Sequence, residues 1–164
     1  MTSDEADEPI RVERVIPASP PATWAAITRP AAMRPWFFEE IEDFEPRSGF
    51  DTRFDVRVGP RTFRHHWVVL EAAPPRRLVV RWRYAGIPGD SRVVWILAGE
   101  PGGTRVVLEH HGHATFPRDD AVFGRKACTG GWTWFLDRLA AEIARRDDGP
   151  GHGDAPAPRD IDPA

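Results

Sequence analysis

Between residues 50 and 111 apolar side chains recur among polar ones in five short strand-like stretches: 50–58, 62–71, 77–84, 91–97 and 104–111. Neighbours on a strand point to opposite faces, so each stretch can set one face against a core. The breaks are turn signals: Gly59-Pro60, Pro74-Pro75, Gly86-Ile87-Pro88-Gly89 and Glu100-Pro101-Gly102-Gly103. Short strands with such breaks predict an antiparallel meander. An earlier stretch, Ile10–Ile16, adds a sixth strand, with Ile10, Val12 and a position near Arg14 on one face and Val15 interrupting the alternation. Ser19 then offers an N-cap and Pro20 a first helical residue, which predicts a helix over Pro20–Thr28 with Trp24 and Ile27 on one face. A second short helical turn is predicted over 30–36. After the last strand the period changes. Trp132, Phe135, Leu136, Leu139 and Ile143 recur at helical spacing and predict a long helix over 120–146 with one apolar face.

The order strand, two short helices, five strands, long helix defines an α+β fold. A curved six-stranded antiparallel sheet can bury the apolar face of the long helix by wrapping around it. A curved sheet and a straight helix do not touch everywhere, so an internal cavity between them is expected, with an apolar lining. Four tryptophans, Trp36, Trp82, Trp95 and Trp132, stand where they could face it. Phe38, Phe54, Leu108, His110 and Phe135 complete the candidate ligand-binding set.

Composition narrows the function. The 164 residues suit one domain. No apolar run approaches the roughly 20 residues that span a bilayer. The acidic start, MTSDEADEPI, lacks the basic and greasy segments of a secretory signal, so a cytoplasmic location with no membrane contact is expected. One cysteine, Cys128, excludes an internal disulfide. Residues 1–9 carry a net −4, residues 147–164 a net −4, and residues 10–146 a net +5. Both ends read as disordered tails, one acidic and the other rich in Pro, Gly and Asp. The folded unit is placed at 10–146. Its mild positive charge forms no basic stripe, so no nucleic-acid partner is expected. Of the basic residues only Lys126 is not arginine, which reflects codon usage in a GC-rich genome.

Five of the six histidines fall in two groups, His65-His66 and His110-His111-His113. Neighbours on a strand point to opposite faces, so His65 and His66 cannot both face the cavity. If Leu108 points inward, so does His110, the best candidate for a polar or acid–base group there. No catalytic residue is otherwise assigned. His111 and His113 have a chelating spacing, but a metal site needs a third convergent ligand, and no metal or other cofactor is expected. Cys128 reads as a small buried residue, because Lys126 lies far around the helix and no base stands near it. Gly130-Gly131 implies either a kink or a close approach of the helix to the sheet. Most strand arginines, among them Arg64, Arg81, Arg83 and Arg105, are read as a solvated outer face.

Several segments together resemble a known family. Ile16-Pro17-Ala18-Ser19-Pro20 followed by Trp24 is similar to its strand-to-helix junction, and Pro35-Trp36-Phe37 to the end of its second short helix. Val69-Leu70-Glu71, Pro74-Pro75-Arg76-Arg77-Leu78 and Trp82 resemble a hairpin of its sheet. Gly103-Thr104-Arg105 with Leu108 and His110 resembles the strand before the last helix, and Gly131-Trp132 with Leu136 and Leu139 that helix itself. The chain thus resembles the START-like, SRPBCC or helix-grip superfamily, in the branch named after the C-terminal domain of the activator of the heat-shock-protein-90 ATPase. It departs from the branch at His110-His111-Gly112-His113, where a phenylalanine is usual after the glycine, and at His65-His66-Trp67, where a glycine is usual.

The resemblance implies a helix-grip fold and binding of a small hydrophobic or aromatic molecule. An alternative is an enzyme of polyketide cyclase or aromatase type in the same pocket. A co-chaperone-like interaction module is a weaker implication, since the namesake uses a further N-terminal domain with no counterpart in this sequence. The oligomeric state is left between monomer and homodimer.

Overall fold

The computed structural model describes residues 8–148. The expected tails therefore lie almost wholly outside the described residues. Among the described residues six strands form one antiparallel sheet: β1 (Ile10–Ile16), β2 (Asp51–Val58), β3 (Arg61–Ala73), β4 (Arg77–Tyr84), β5 (Ser91–Glu100) and β6 (Gly103–His111). Their spatial order is β1-β6-β5-β4-β3-β2. The five later strands form a meander, and β1 closes the far edge by pairing with β6, Ile10 opposite His110 and Ile16 opposite Thr104. Helices α1 (Pro20–Thr28) and α2 (Pro30–Met33) link β1 to β2, and the long α3 (Arg125–Asp148) ends the described chain.

Local chemistry sets these boundaries. Ser19 Oγ accepts from the Ala22 N–H and Pro20 opens α1, as the sequence predicts. The second helical turn is shorter than expected and ends at Met33, although Trp36 and Phe37 still donate their N–H groups to the Met33 carbonyl. The last helix begins at Arg125 instead of residue 120. Asp120 caps a separate 3-10 turn, Ala121–Phe123, by accepting from the Val122 N–H, and Gly124 is extended and breaks the run. At the β5–β6 turn Gly103 has φ +149, and a Cβ there would sit 2.0 Å from the Ile16 carbonyl oxygen. Only glycine fits that position. The β3–β4 register shifts between Val69 and Glu71. Such a bulge bends a strand and helps to curl a sheet around a helix.

The helix lies against the concave face. Leu136, Leu139, Ala140 and Ile143 are buried there with Trp24, Ile27 and Leu108. Polar clamps hold it in place. Arg14 of β1 pairs with Asp137, Arg138 Nε donates to the Trp36 carbonyl at 3.1 Å, and Arg125 donates to the Glu8 carbonyl. Arg14, placed on the inner face of β1 by alternation, is thus exposed and reaches out to the helix. On the outer face of the sheet Arg64 pairs with Asp55 and Arg81 with Asp90.

Candidate functional site

The sheet and helix part at one end of the molecule, where the β2–β3 hairpin and the 113–123 segment come together. A cavity of about 190 Å³ lies there. Phe38, Trp82, His110, Trp132 and Phe135, all expected at the site, line it. The opposite wall is made by Val56, Val58, Phe63, His65 and Tyr84, and the roof by Phe116, Val122 and Phe123. Val58 and Val122 are 55% and 42% exposed and mark its mouth. Cys128 and Gly131 complete the helix side. Among the described residues no Asp, Glu, Lys or Arg lines it.

Four expected residues stand elsewhere. Trp36 is fully buried, stacks on Phe37 at 4.6 Å and donates Nε1–H to the Ala26 carbonyl. Trp95 packs edge-on against Trp36, and Leu108 is fully buried opposite it. Phe54 stacks behind His65 at 4.9 Å. Phe54, Trp95 and Leu108 point inward, as alternation predicts, and Trp36 is buried from the turn that follows α2. Trp95 and Leu108 lie in the row of Leu78, with Trp36 and Phe37 packed on Trp95, whereas Trp82 and Ser91 share a row nearer the open end. Periodicity gives the face of a strand and not the depth along it.

His110 is buried in a defined chain of hydrogen bonds. Trp132 Nε1–H donates to His110 Nδ1 at 3.1 Å. An indole nitrogen only donates, so Nδ1 is the acceptor and Nε2 carries the proton. Nε2 then donates to Ser91 Oγ at 2.9 Å, and Ser91 donates to the Trp82 carbonyl at 2.7 Å. Both ring nitrogens are used. Burial, with the like charge of His113 and His111, pushes the imidazole down to about 3. The geometry therefore makes His110 a positioning residue that ties β6, β5, β4 and α3 around the cavity. Service as a general base would require breaking its bond to Trp132.

The histidine doublet splits as alternation requires. His65 is buried and lines the cavity, while His66 donates outward to Asp51 at 3.0 Å. Burial lowers His65 to about 4 against the opposing pull of the Phe63 carbonyl and Asp55. His111 pairs with Glu109 on the outer side. Among the described residues no group of three or more His, Cys, Asp and Glu side chains is placed to hold a metal ion. Cys128 is half-buried, and burial raises its thiol against the pull of Arg125, opposite to what a nucleophile needs.

Tyr84 was not among the sequence candidates. It is the only tyrosine and stands two residues after Trp82, hence on the same inner face. That spacing was a usable signal. Trp82 Nε1–H donates to its hydroxyl at 2.8 Å, and burial pushes the phenol up to about 12. Phe116 and Phe123 lie in irregular chain and carried no such signal. They stack at 5.1 Å and form with Phe63 a small core apart from the main one.

The family described as "Activator of Hsp90 ATPase homolog 1-like protein" matches residues 17–144. The chain belongs to that family. Solved structures agree in fold and place it within the SRPBCC type. CV1439 from Chromobacterium violaceum superposes with a TM-score of 0.71 at 26% identity, over 83% of this chain and 96% of that one. CalU16 from Micromonospora echinospora gives 0.58 at 28% identity, over 84% and 77%. DynU16, a protein in the dynemicin biosynthetic locus, gives 0.69 at 25% identity over 84% of this chain, which spans 48% of DynU16. No curated protein matches the chain. Among the described residues no helix is long and apolar enough to cross a membrane.

Proposed function

We propose that this family member binds a small, largely apolar molecule in the cavity between the sheet and α3. The observation that carries the reading is the composition of the wall: aromatic and aliphatic side chains throughout, a few neutral polar groups, and no charge. That is the lining of a site for an uncharged ligand. Its size agrees. A cavity of about 150 Å³ in another protein accepts benzene, and this one is larger and opens at a mouth.

A second reading is an enzyme acting on a small molecule in the same pocket, of the cyclase or aromatase kind. The likeness to DynU16, from a biosynthetic locus, favours it. The wall holds no carboxylate pair, and His110 is tied on both nitrogens. Chemistry in this pocket would therefore fall to His65 or Tyr84. For an enzyme with His110 as its base, His110→Ala would cut turnover by about 10²–10⁴-fold.

Native mass spectrometry of the protein from its own host tests the binding reading. A mass retained under native conditions, lost on denaturation and absent from Gly131→Leu is expected. A Cβ at Gly131 meets nothing within 4 Å, so the leucine enters the cavity without a backbone clash. A bare wild-type mass together with no heat on titration with naphthalene would remove the proposal.

A further inference from the structure

Tyr84 and His65 share one patch of the cavity wall, and each keeps one hydrogen-bonding position that no side chain or backbone group among the described residues uses. Trp82 Nε1–H donates to the Tyr84 hydroxyl, so the phenol oxygen accepts there and its own O–H is left to donate. The donated bond also polarises that O–H and makes it a better donor. His65 Nδ1 lies 3.1 Å from the Phe63 carbonyl oxygen. A carbonyl only accepts, so Nδ1 carries the proton and Nε2 presents a lone pair. The two rings meet edge to face with centroids 4.8 Å apart. One donor and one acceptor are thus held side by side in an otherwise apolar wall.

That pairing specifies a ligand group. A hydroxyl both accepts and donates, and so satisfies Tyr84 and His65 together. An ether or ketone satisfies only Tyr84. A carboxylate would enter a wall without a cation and lose its hydration uncompensated. The surrounding rings of Phe38, Trp132 and Phe135 suit a flat partner. The volume, about 190 Å³ against the roughly 150 Å³ that accepts benzene, limits that partner to one or two fused rings.

Resting on the binding reading above, we propose that the cavity selects a neutral hydroxylated aromatic of one or two fused rings, its hydroxyl accepting from Tyr84 and donating to His65 Nε2. Calorimetric titration of the full chain with 2-naphthol, 2-methoxynaphthalene, naphthalene and 2-naphthoate tests this. 2-Naphthol should bind about tenfold tighter than naphthalene, as two modest hydrogen bonds allow, with the methoxy compound between them and the carboxylate weakest. Tyr84→Phe should cut that preference to the part that His65 alone supplies while naphthalene still binds, which shows the cavity intact. His65→Phe should bring 2-naphthol down to the level of 2-methoxynaphthalene. Equal affinity for naphthol and naphthalene, or a preference that neither substitution diminishes, overturns the hydroxyl-recognition proposal and leaves apolar binding standing. No binding of any of the four probes overturns both.

Discussion

The polar side chains of the cavity wall are neutral because of where they sit, and this has a consequence in pH. His65 and His110 lie well below the usual histidine range, at about 4 and about 3, because burial penalises the imidazolium. In the unfolded chain both protonate near pH 6.5. Stability from the two neutral rings is therefore fully present above that value. It falls as the pH drops toward 4 for His65 and toward 3 for His110, because only the unfolded state takes up the protons. Each contributes a slope of up to about 1.4 kcal/mol per pH unit in that window. The paired carboxylates Asp51, Asp55 and Asp90 also lie below their usual range and act in the same direction, but only beneath the ordinary Asp value of 3.8. The urea midpoint should thus decline between pH 7 and pH 4.5. A flat profile there would contradict two buried, neutral histidines.

At the scale of the element, the two helical glycines invite different changes. The sequence suggested a kink or a close approach of α3 to the sheet. A Cβ would meet nothing within 4 Å at either residue, so close approach is not the reason for them. Gly130 is exposed and Gly131 lines the cavity. Gly130→Ala should stabilise the protein by about 0.5–1 kcal/mol and leave naphthalene binding unchanged, because it restores helix propensity away from the site. Gly131→Ala should give a similar gain in a thermal melt but weaken binding by narrowing the cavity. Equal binding in the two variants would show that α3 does not bound the ligand.

Over the whole molecule, stability and access are carried by separate cores. The main core runs beneath α3, with Leu139 fully buried. The cluster of Phe63, Phe116 and Phe123 joins the wall and the roof of the cavity near its mouth. Leu139→Ala should lower stability by about 2–5 kcal/mol through lost burial and a void. Phe123→Ala, in the smaller cluster beside open solvent, should cost less and speed release of a bound probe. Comparable losses in denaturant melts, with unchanged release, would argue that the two clusters fold and act as one.

The alternating strands from residue 50 onward, the capped helix at Ser19 and the helical stripe from Trp132 to Ile143 were legible because each rests on local periodicity or capping chemistry, and together they determined the fold. The inward faces followed in part: His110 in with Leu108, the His65-His66 doublet split between the two faces, Trp82 and Phe135 toward the cavity; which of the two histidines faces in was decided by the fold. What only the tertiary structure decided was depth and partnership. Trp95 and Leu108 share the inward face but lie away from the open end, with Trp36 edge-on against Trp95 from the turn after α2, and only docking of the helices sets where sheet and helix part. Docking also brings Trp132 to His110, 22 residues apart in sequence, so that an imidazole free in the sequence is bonded on both sides in the fold. The 3-10 turns that carry Phe116 and Phe123 over the mouth are fixed by long-range packing, which no local pattern encodes.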